Sequence, residues 1–365
     1  MKVALVHDYL IRMGGAEKVL LGIRKIFPQA PIYTLFYNQA KMARYFKDAN
    51  IRPSLLQKTP ILKNHHRLAL PFLPAAVESF DLREFDLIIS SCSSYVKGLV
   101  LRPKTIHICY CHSPTRFLWD WTHQYQSRLS FIRKLIFHYQ RIWDRAAANR
   151  VDFFIANSKT TACRIQKYYG RQSKVIYPPV DFKKWAEIKQ NFKGKNKDEY
   201  FLIVSQLTPY KRVDIAIDAF NKLELPLIII GQGRDSQRLQ KIARKNIRFL
   251  GWQSQKAVSR YYQNCKAFIF PGEDDFGITA VEAMGYGKPV LAYGRGGVTE
   301  SVIESMTGEF FEDPVSESLA DGVRRLLVNY SSYSPLVIRK RAEKFSEQRF
   351  LTEMLIFIKQ KTSSL

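Results

Sequence analysis

Short apolar runs punctuate the chain at Lys2–His7, Ile32–Phe36, Leu87–Ser90, His107–Cys111 and Phe153–Ala156. Runs of that length suit strands buried on both faces. Helical patterns separate them, as in Val19, Leu20, Ile23 and Ile26. The alternation predicts a doubly wound parallel sheet. VIYPPV ends this half at Pro178-Pro179, and the lysine-rich stretch that follows reads as a linker. The rhythm restarts at Tyr200: FLIVSQLTPYKR is strand then turn, Asp214–Leu223 a helix, LPLIIIGQG a strand with a glycine turn, and IRFLGW a short strand. KPVLAYGRGGVTESV predicts one more strand, with Gly294, Gly296 and Gly297 before a helix start. Near the end, Glu347–Lys361 reads as a helix with Phe350, Met354, Phe357 and Ile358 on one side. At 365 residues two domains are expected, with a cleft between the sheet edges as the default ligand site.

Composition narrows the class. The chain is 46% hydrophobic and 24% charged, as in soluble globular proteins, and no apolar run approaches the roughly 20 residues of a membrane span. His7 and Asp8 interrupt VALV before a signal-peptide core can develop. Five scattered cysteines fit a reduced cytosolic protein. Cys109 and Cys111, next to His112, lack a second cysteine pair at metal-ligand spacing and read as structural thiols. The formal net charge of +25 favours polyanionic partners: nucleic acid, anionic lipid or diphosphates. Nucleic acid is the least favoured, because no stacking platform or recognised motif accompanies the charge.

Candidate chemistry concentrates in AFIFPGEDDFGITAVEAMGYGKPV, Ala267 to Val290. A strand stops at Pro271-Gly272, the acids Glu273, Asp274 and Asp275 follow, and Ile278–Tyr286 reads as a helix containing Glu282. Carboxylates at the carboxyl edge of a sheet accept hydrogen bonds from polyhydroxyl groups; an acidic loop facing water fits these residues equally. Gly14-Gly15 ahead of a helix forms either a phosphate cradle or a plain tight turn. His112 is delivered by a strand, before Pro114 and an aromatic helix start; it suits substrate contact or a satisfied structural histidine. In Leu129–Arg145, Lys134, His138, Arg141 and Arg145 oppose Leu129, Ile132, Ile136, Tyr139 and Trp143. Such a basic amphipathic helix packs on a core or lies on an anionic bilayer. Arg52–Arg67 and Lys183–Lys197 carry the same ambiguity.

Gly14-Gly15, His112, Lys211, Gly231-Gln232-Gly233 and Asp274 to Glu282 occur in an order that resembles the retaining glycosyltransferases of family 4, which have the GT-B fold of two facing Rossmann-like domains. The resemblance covers nearly the whole chain. ESFDLREFDLIISS, YCHSPTRFLWD and VIYPPVDF most resemble a bacterial subgroup that transfers mannose in surface polysaccharide assembly. The resemblance implies an N-terminal acceptor domain over 1–182, joined by the returning helix 347–365, and a donor domain over 183–346. It implies that Glu282 accepts from the ribose of a nucleotide sugar and that Asp274 holds the donor sugar. Phe276, Gly277 and Ile278 seat that sugar through their backbone, and His112 contacts it near the reacting carbon. Lys211 neutralises the departing diphosphate, helped by Gly15 and the helix dipole. Loops near Gly231 and Leu250 face the base. Transfer proceeds with retention, usually without a metal, and the leaving phosphate helps deprotonate the acceptor. Two departures stand out. Asp274 replaces the usual Glu, so either it or Glu273 serves the sugar; Gln206 replaces an arginine on the diphosphate, and Arg212 is the candidate substitute.

The expected function is therefore a glycosyltransferase moving a sugar, mannose from GDP-mannose, to a lipid-diphosphate-linked or saccharide acceptor in polysaccharide or lipopolysaccharide synthesis. Peripheral attachment to the inner face of the cell membrane through anionic lipid is expected, with no cofactor and no nucleic acid. The alternatives are a nucleotide-sugar epimerase on the same fold, a phosphorylase, for which no pyridoxal-anchoring lysine is evident, and a basic nucleic-acid-binding protein.

Overall fold

A computed structural model describes residues 1–59, 66–120, 131–182 and 200–363. Leu129, the stretch 183–197 and part of Arg52–Arg67 lie outside the described residues. The chain forms two compact units: Met1–Pro179 with Gln348–Leu365, and Val180–Glu347.

In the first unit, seven strands form a parallel sheet: β1 (Val3–Leu10), β2 (Ile32–Tyr37), β3 (Ile51–Pro53), β4 (Leu87–Cys92), β5 (Ile106–Cys111), β6 (Phe153–Ala156) and β7 (Ser173–Val175). Their order is β3-β2-β1-β4-β5-β6-β7. The apolar runs form strands because both faces are covered: all six residues of β4 are buried. Ala4 and Val6 enter one core, while Leu5 enters another with Val19, Leu20 and Ile23 of the helix Gly15–Ile26. Phe350, Met354, Phe357 and Ile358 of the C-terminal helix Glu347–Thr362 complete that second core. Phe350 meets Tyr110 of β5 edge-on at 5.9 Å.

The second unit has a six-stranded parallel sheet: β8 (Phe201–Val204), β9 (Leu227–Ile230), β10 (Ile247–Gly251), β11 (Phe268–Phe270), β12 (Val290–Tyr293) and β13 (Gly308–Phe311). Its order is β10-β9-β8-β11-β12-β13. Strand order reverses between β1 and β4 in the first sheet and between β8 and β11 in the second. Such reversals open a crevice at the carboxyl ends of the strands.

Three local expectations are corrected. After Gly296 there is a single 3-10 turn, Gly297–Glu300, instead of an α-helix. The Arg341 guanidinium takes the carbonyls of Glu300 and Ser301 at 2.6 and 3.0 Å, acceptors that a continuing helix would need. After Pro114 the described residues 116–120 form turns, and the Trp119 indole is drawn to Asp144 at 2.8 Å. The third concerns the helix Phe131–Ala148. Ile132 and Tyr139, expected on the inner face, are 70% and 62% exposed, while Phe137, Gln140, Asp144, Ala147 and Ala148 are buried. The inner face is partly polar because Asp144 and Gln140 find internal donors and acceptors.

Candidate functional site

In the first unit the register carries the geometry. His7 of β1 is paired with Ser91 of β4, and Cys92 with Cys111 of β5. The His112 N–H donates to the Cys92 carbonyl at 2.8 Å, extending the ladder one residue past β5. The His112 carbonyl accepts from Asn157 Nδ2 at 2.9 Å and Thr161 Oγ1 at 3.4 Å. Nε2 of His112 lies 2.8 Å from Ser91 Oγ, which is 3.1 Å from His7 Nδ1. His7 Nε2 in turn lies 3.4 Å from Glu17 Oε1. Burial, reinforced by His7, lowers the His112 pKa to about 3, so at neutral pH this ring is an uncharged hydrogen-bonding group. Cys92, Cys109 and Cys111 are buried in a common core. No three metal-ligating side chains cluster among the described residues.

Gly14 caps the helix in an extended conformation, and Gly15 opens it. Glu17 is the acid of the first turn, and its Oε2 lies 2.9 Å from the position a Cβ on Gly14 would take. The helix terminus thus already has a carboxylate beside it, and an incoming phosphate would meet that charge.

In the second unit the acidic stretch stands beside the strand-order reversal. β8 leads through Gln206, whose carbonyl accepts from the Thr208 N–H at 2.9 Å, into a 3-10 turn at Pro209–Lys211. β11 leads into Glu273 and Asp274. A Cβ on Gly272 would lie 2.7 Å from the Lys211 carbonyl, so glycine lets these two loops close on each other. Lys211 Nζ donates to the Asp274 carboxylate, with both side chains largely screened at 15% and 23% exposure. Asp274 is also fixed through its backbone: its carbonyl accepts from the Gly297 N–H at 2.9 Å. Glu273 lies alongside Gly296. Arg212 holds a left-handed φ of 49° and donates to Asp214 at 3.3 Å and to the Pro314 carbonyl at 3.1 Å. Its guanidinium is therefore committed to the start of the next helix, Val213–Leu223, and would have to give up those bonds to replace a phosphate-binding arginine.

Phe276 is buried against Phe345 at 5.4 Å, and Gly277 takes a left-handed φ of 86° as the cap of the helix Ile278–Gly285. This turn leaves the first amide groups of the helix without intrahelical acceptors. Inside the helix, Glu282 Oε2 accepts from Tyr262 OH at 3.3 Å. Burial and the Glu282 charge raise the Tyr262 pKa, keeping the phenol a donor. A hollow of about 510 Å³ at the ends of β9 and β10 is lined by Leu207, Gly231, Gln232, Gly233, Phe249 and Gly251. Leu250 belongs to β10 at its edge. Gly231 has a φ of 141°, and a Cβ there would fall 1.8 Å from the Ser205 carbonyl, so only glycine fits.

Sequence reasoning missed His7, Ser91, Glu17 and Asn157 around His112, and Tyr262 behind Glu282. The available signal was His7-Asp8, two polar residues inside the otherwise apolar first strand. Asp8 accepts from the backbone N–H groups of Ser93, Ser94, Tyr95 and Val96 at 2.5–3.0 Å, fixing the turn after β4.

Two family descriptions match this chain back to back: Glycosyltransferase Family 4 over residues 13–184 and Glycosyl transferases group 1 over residues 185–359. The chain is a GT-B glycosyltransferase. This glycosyltransferase is 24% identical to the human alpha-1,3/1,6-mannosyltransferase ALG2 over 327 residues, covering 80% of this chain and 76% of that one. It is 24% identical to the O-antigen chain mannosyltransferase C of Escherichia coli over 180 residues, covering 46% and 48%. The chain spans about half the length of some curated relatives and about three quarters of others. Its fold matches the crystal structure of Anabaena HepE in complex with UDP and glucose, with a TM-score of 0.72, 19% identity and full coverage of both chains.

Proposed function

We propose that this glycosyltransferase moves mannose from GDP-mannose to a lipid-diphosphate-linked or saccharide acceptor, in the assembly of polysaccharide or lipopolysaccharide. The observation that carries the nucleotide-sugar site is the Lys211–Asp274 pair at the strand-order reversal, with Glu282 on the helix that follows. Lys211 supplies the positive charge for the leaving diphosphate, so the reaction needs no bound metal. Binding of that diphosphate exchanges one anionic partner of Lys211 for another and releases Asp274 to the sugar hydroxyls; Glu273 is the alternative ligand. Glu282 accepts from the ribose, and the amides opening the Ile278–Gly285 helix seat the sugar. His112 contacts the sugar near the reacting carbon, and the leaving phosphate helps deprotonate the acceptor. The mannose assignment draws on ALG2 and the O-antigen enzyme at 24% identity, while the HepE complex contains UDP and glucose. A thermal-shift panel of GDP, UDP, ADP and their sugars decides among the bases, because a bound ligand raises the melting midpoint by mass action. GDP and GDP-mannose are expected to give the largest shifts; a larger response to UDP overturns the donor, and no response to any nucleotide overturns the site.

Attachment to the inner membrane face is the second part of the proposal. Phe131, Ile132, Leu135, Tyr139 and Ile142 are exposed along one helix, interleaved with Arg133, Lys134, His138 and Arg145, and the chain carries a net charge of +25. No helix among the described residues is long and apolar enough to cross a membrane, so the mode proposed is interfacial. Vesicles containing anionic lipid should bind the protein and lose it as salt rises; binding that ignores salt removes this part.

A further inference from the structure

The path from Glu17 to His112 has a direction. An ionised carboxylate only accepts hydrogen bonds, so the Glu17 oxygen 3.4 Å from His7 Nε2 favours a proton on that nitrogen. A neutral His7 then has a lone pair on Nδ1, and the Ser91 hydroxyl donates its single proton to it across 3.1 Å. Ser91 Oγ is left as an acceptor for His112 Nε2–H at 2.8 Å. The Ser91 hydroxyl has one proton to give, so when it donates to His7 it cannot also donate to His112, and the His112 ring must supply the proton of their bond.

The end of this path differs from the other buried histidine of the same sheet. His107 Nδ1 is buried with no partner. His112 Nδ1 has no hydrogen-bond partner among the described residues, and His112 is 9% exposed where His107 is 0%. Glu17, His7 and Ser91 are 12%, 2% and 0% exposed, which protects the path from competing water.

We propose that Glu17, His7 and Ser91 are positioning residues that hold His112 as its Nε2–H tautomer and leave Nδ1 as a hydrogen-bond acceptor. On the nucleotide-sugar reading above, that acceptor takes a hydroxyl of the donor sugar; the opposite tautomer would present a donor there instead. The path also explains a carboxylate beside the Gly14-Gly15 turn: Glu17 is held for His7 as well as for the helix terminus.

The tautomer is read directly by ring ¹⁵N–¹H correlation spectra of the full chain labelled at its seven histidines, with His112 assigned by loss of its signals in His112→Gln. The wild type should show His112 protonated at Nε2. Ser91→Ala and Glu17→Leu should each introduce a detectable Nδ1–H population, and Ser91→Thr, which keeps the hydroxyl, should restore the single form. An Nδ1–H ring in the wild type overturns the proposal, as does an unchanged tautomer in both disrupted variants. If a variant does not fold, the wild-type spectrum still decides. This spectrum is independent of any substrate, so failure of the nucleotide-sugar reading would appear separately, in the thermal-shift panel. With an active donor and acceptor, Ser91→Ala should lower kcat/KM about 3- to 10-fold, the range for one neutral hydrogen bond.

Discussion

The most severe single substitution expected in the first unit is at Asp144, on the helix Phe131–Ala148. Its carboxylate accepts from Lys97 Nζ at 2.5 Å, Thr115 Oγ1 at 2.7 Å, Trp119 Nε1 at 2.8 Å and Tyr169 OH at 2.9 Å. The side chains of Asp144 and Lys97 are 0% and 1% exposed. Asp144→Ala leaves the Lys97 ammonium without its counter-charge and three further donors without that acceptor. Breaking a buried pair from one side costs about 3–5 kcal/mol. For a unit of about 200 residues each kcal/mol moves the midpoint by about 2–4 °C, so the transition should fall by about 6–20 °C. Lys97→Met should cost less, because Asp144 keeps three neutral donors and methionine restores the volume. The double variant should be more stable than the sum of the single losses requires, by about 2 kcal/mol. Burial is the largest single influence and pulls the Lys97 pKa down, but the Asp144 charge and hydrogen bond together with Tyr169 and Cys92 outweigh it, and the net shift is upward. The stabilisation is then fully present below the unfolded value of about 10.4 and is lost only as pH rises through the raised folded value. The gap between wild type and Lys97→Met should accordingly stay constant from pH 6 to 9. Scanning calorimetry and urea titration of the four proteins check this; equal single losses below about 1 kcal/mol, or strict additivity, would refute it.

Two further outcomes follow from the sites. Glu282→Gln should weaken binding of the responsive nucleotide about 10- to 100-fold in isothermal titration, the range for a charged hydrogen bond, with the melting curve little changed; unchanged affinity removes Glu282 from the ribose. Burial lowers both His107 and His112 to about 3, below the unfolded value of about 6.5, so their neutral-state stability is present above pH 6.5 and is lost as pH falls from there toward 3. Near pH 5 the combined slope should approach about 2.7 kcal/mol per pH unit, and urea titrations from pH 7 to 4 should show about half of it in His107→Gln.

What was legible in the sequence depended on whether the partner was local. β4 and β9 could be read because strands buried on both faces are apolar throughout, and the last helix because Phe350, Met354, Phe357 and Ile358 repeat at helical spacing. The face of the Phe131–Ala148 helix was legible only in part, for the same reason inverted: Trp143 packs on the core, whereas Ile132 and Tyr139 do not. A wheel sorts residues by polarity, but Asp144 is buried by donors from Lys97, Thr115 and Tyr169, which lie 47, 29 and 25 residues away. The candidate sites divide in the same way. Asp274 and Glu282 belong to one strand-turn-helix stretch, and their spacing could be seen directly. His7 and Ser91 are 84 residues apart and meet only because β4 is inserted beside β1. That insertion is the strand-order reversal itself. The topology that opens a crevice at the sheet edge therefore also brings together the groups that set the proton on His112, and no local pattern could reveal either one without the other.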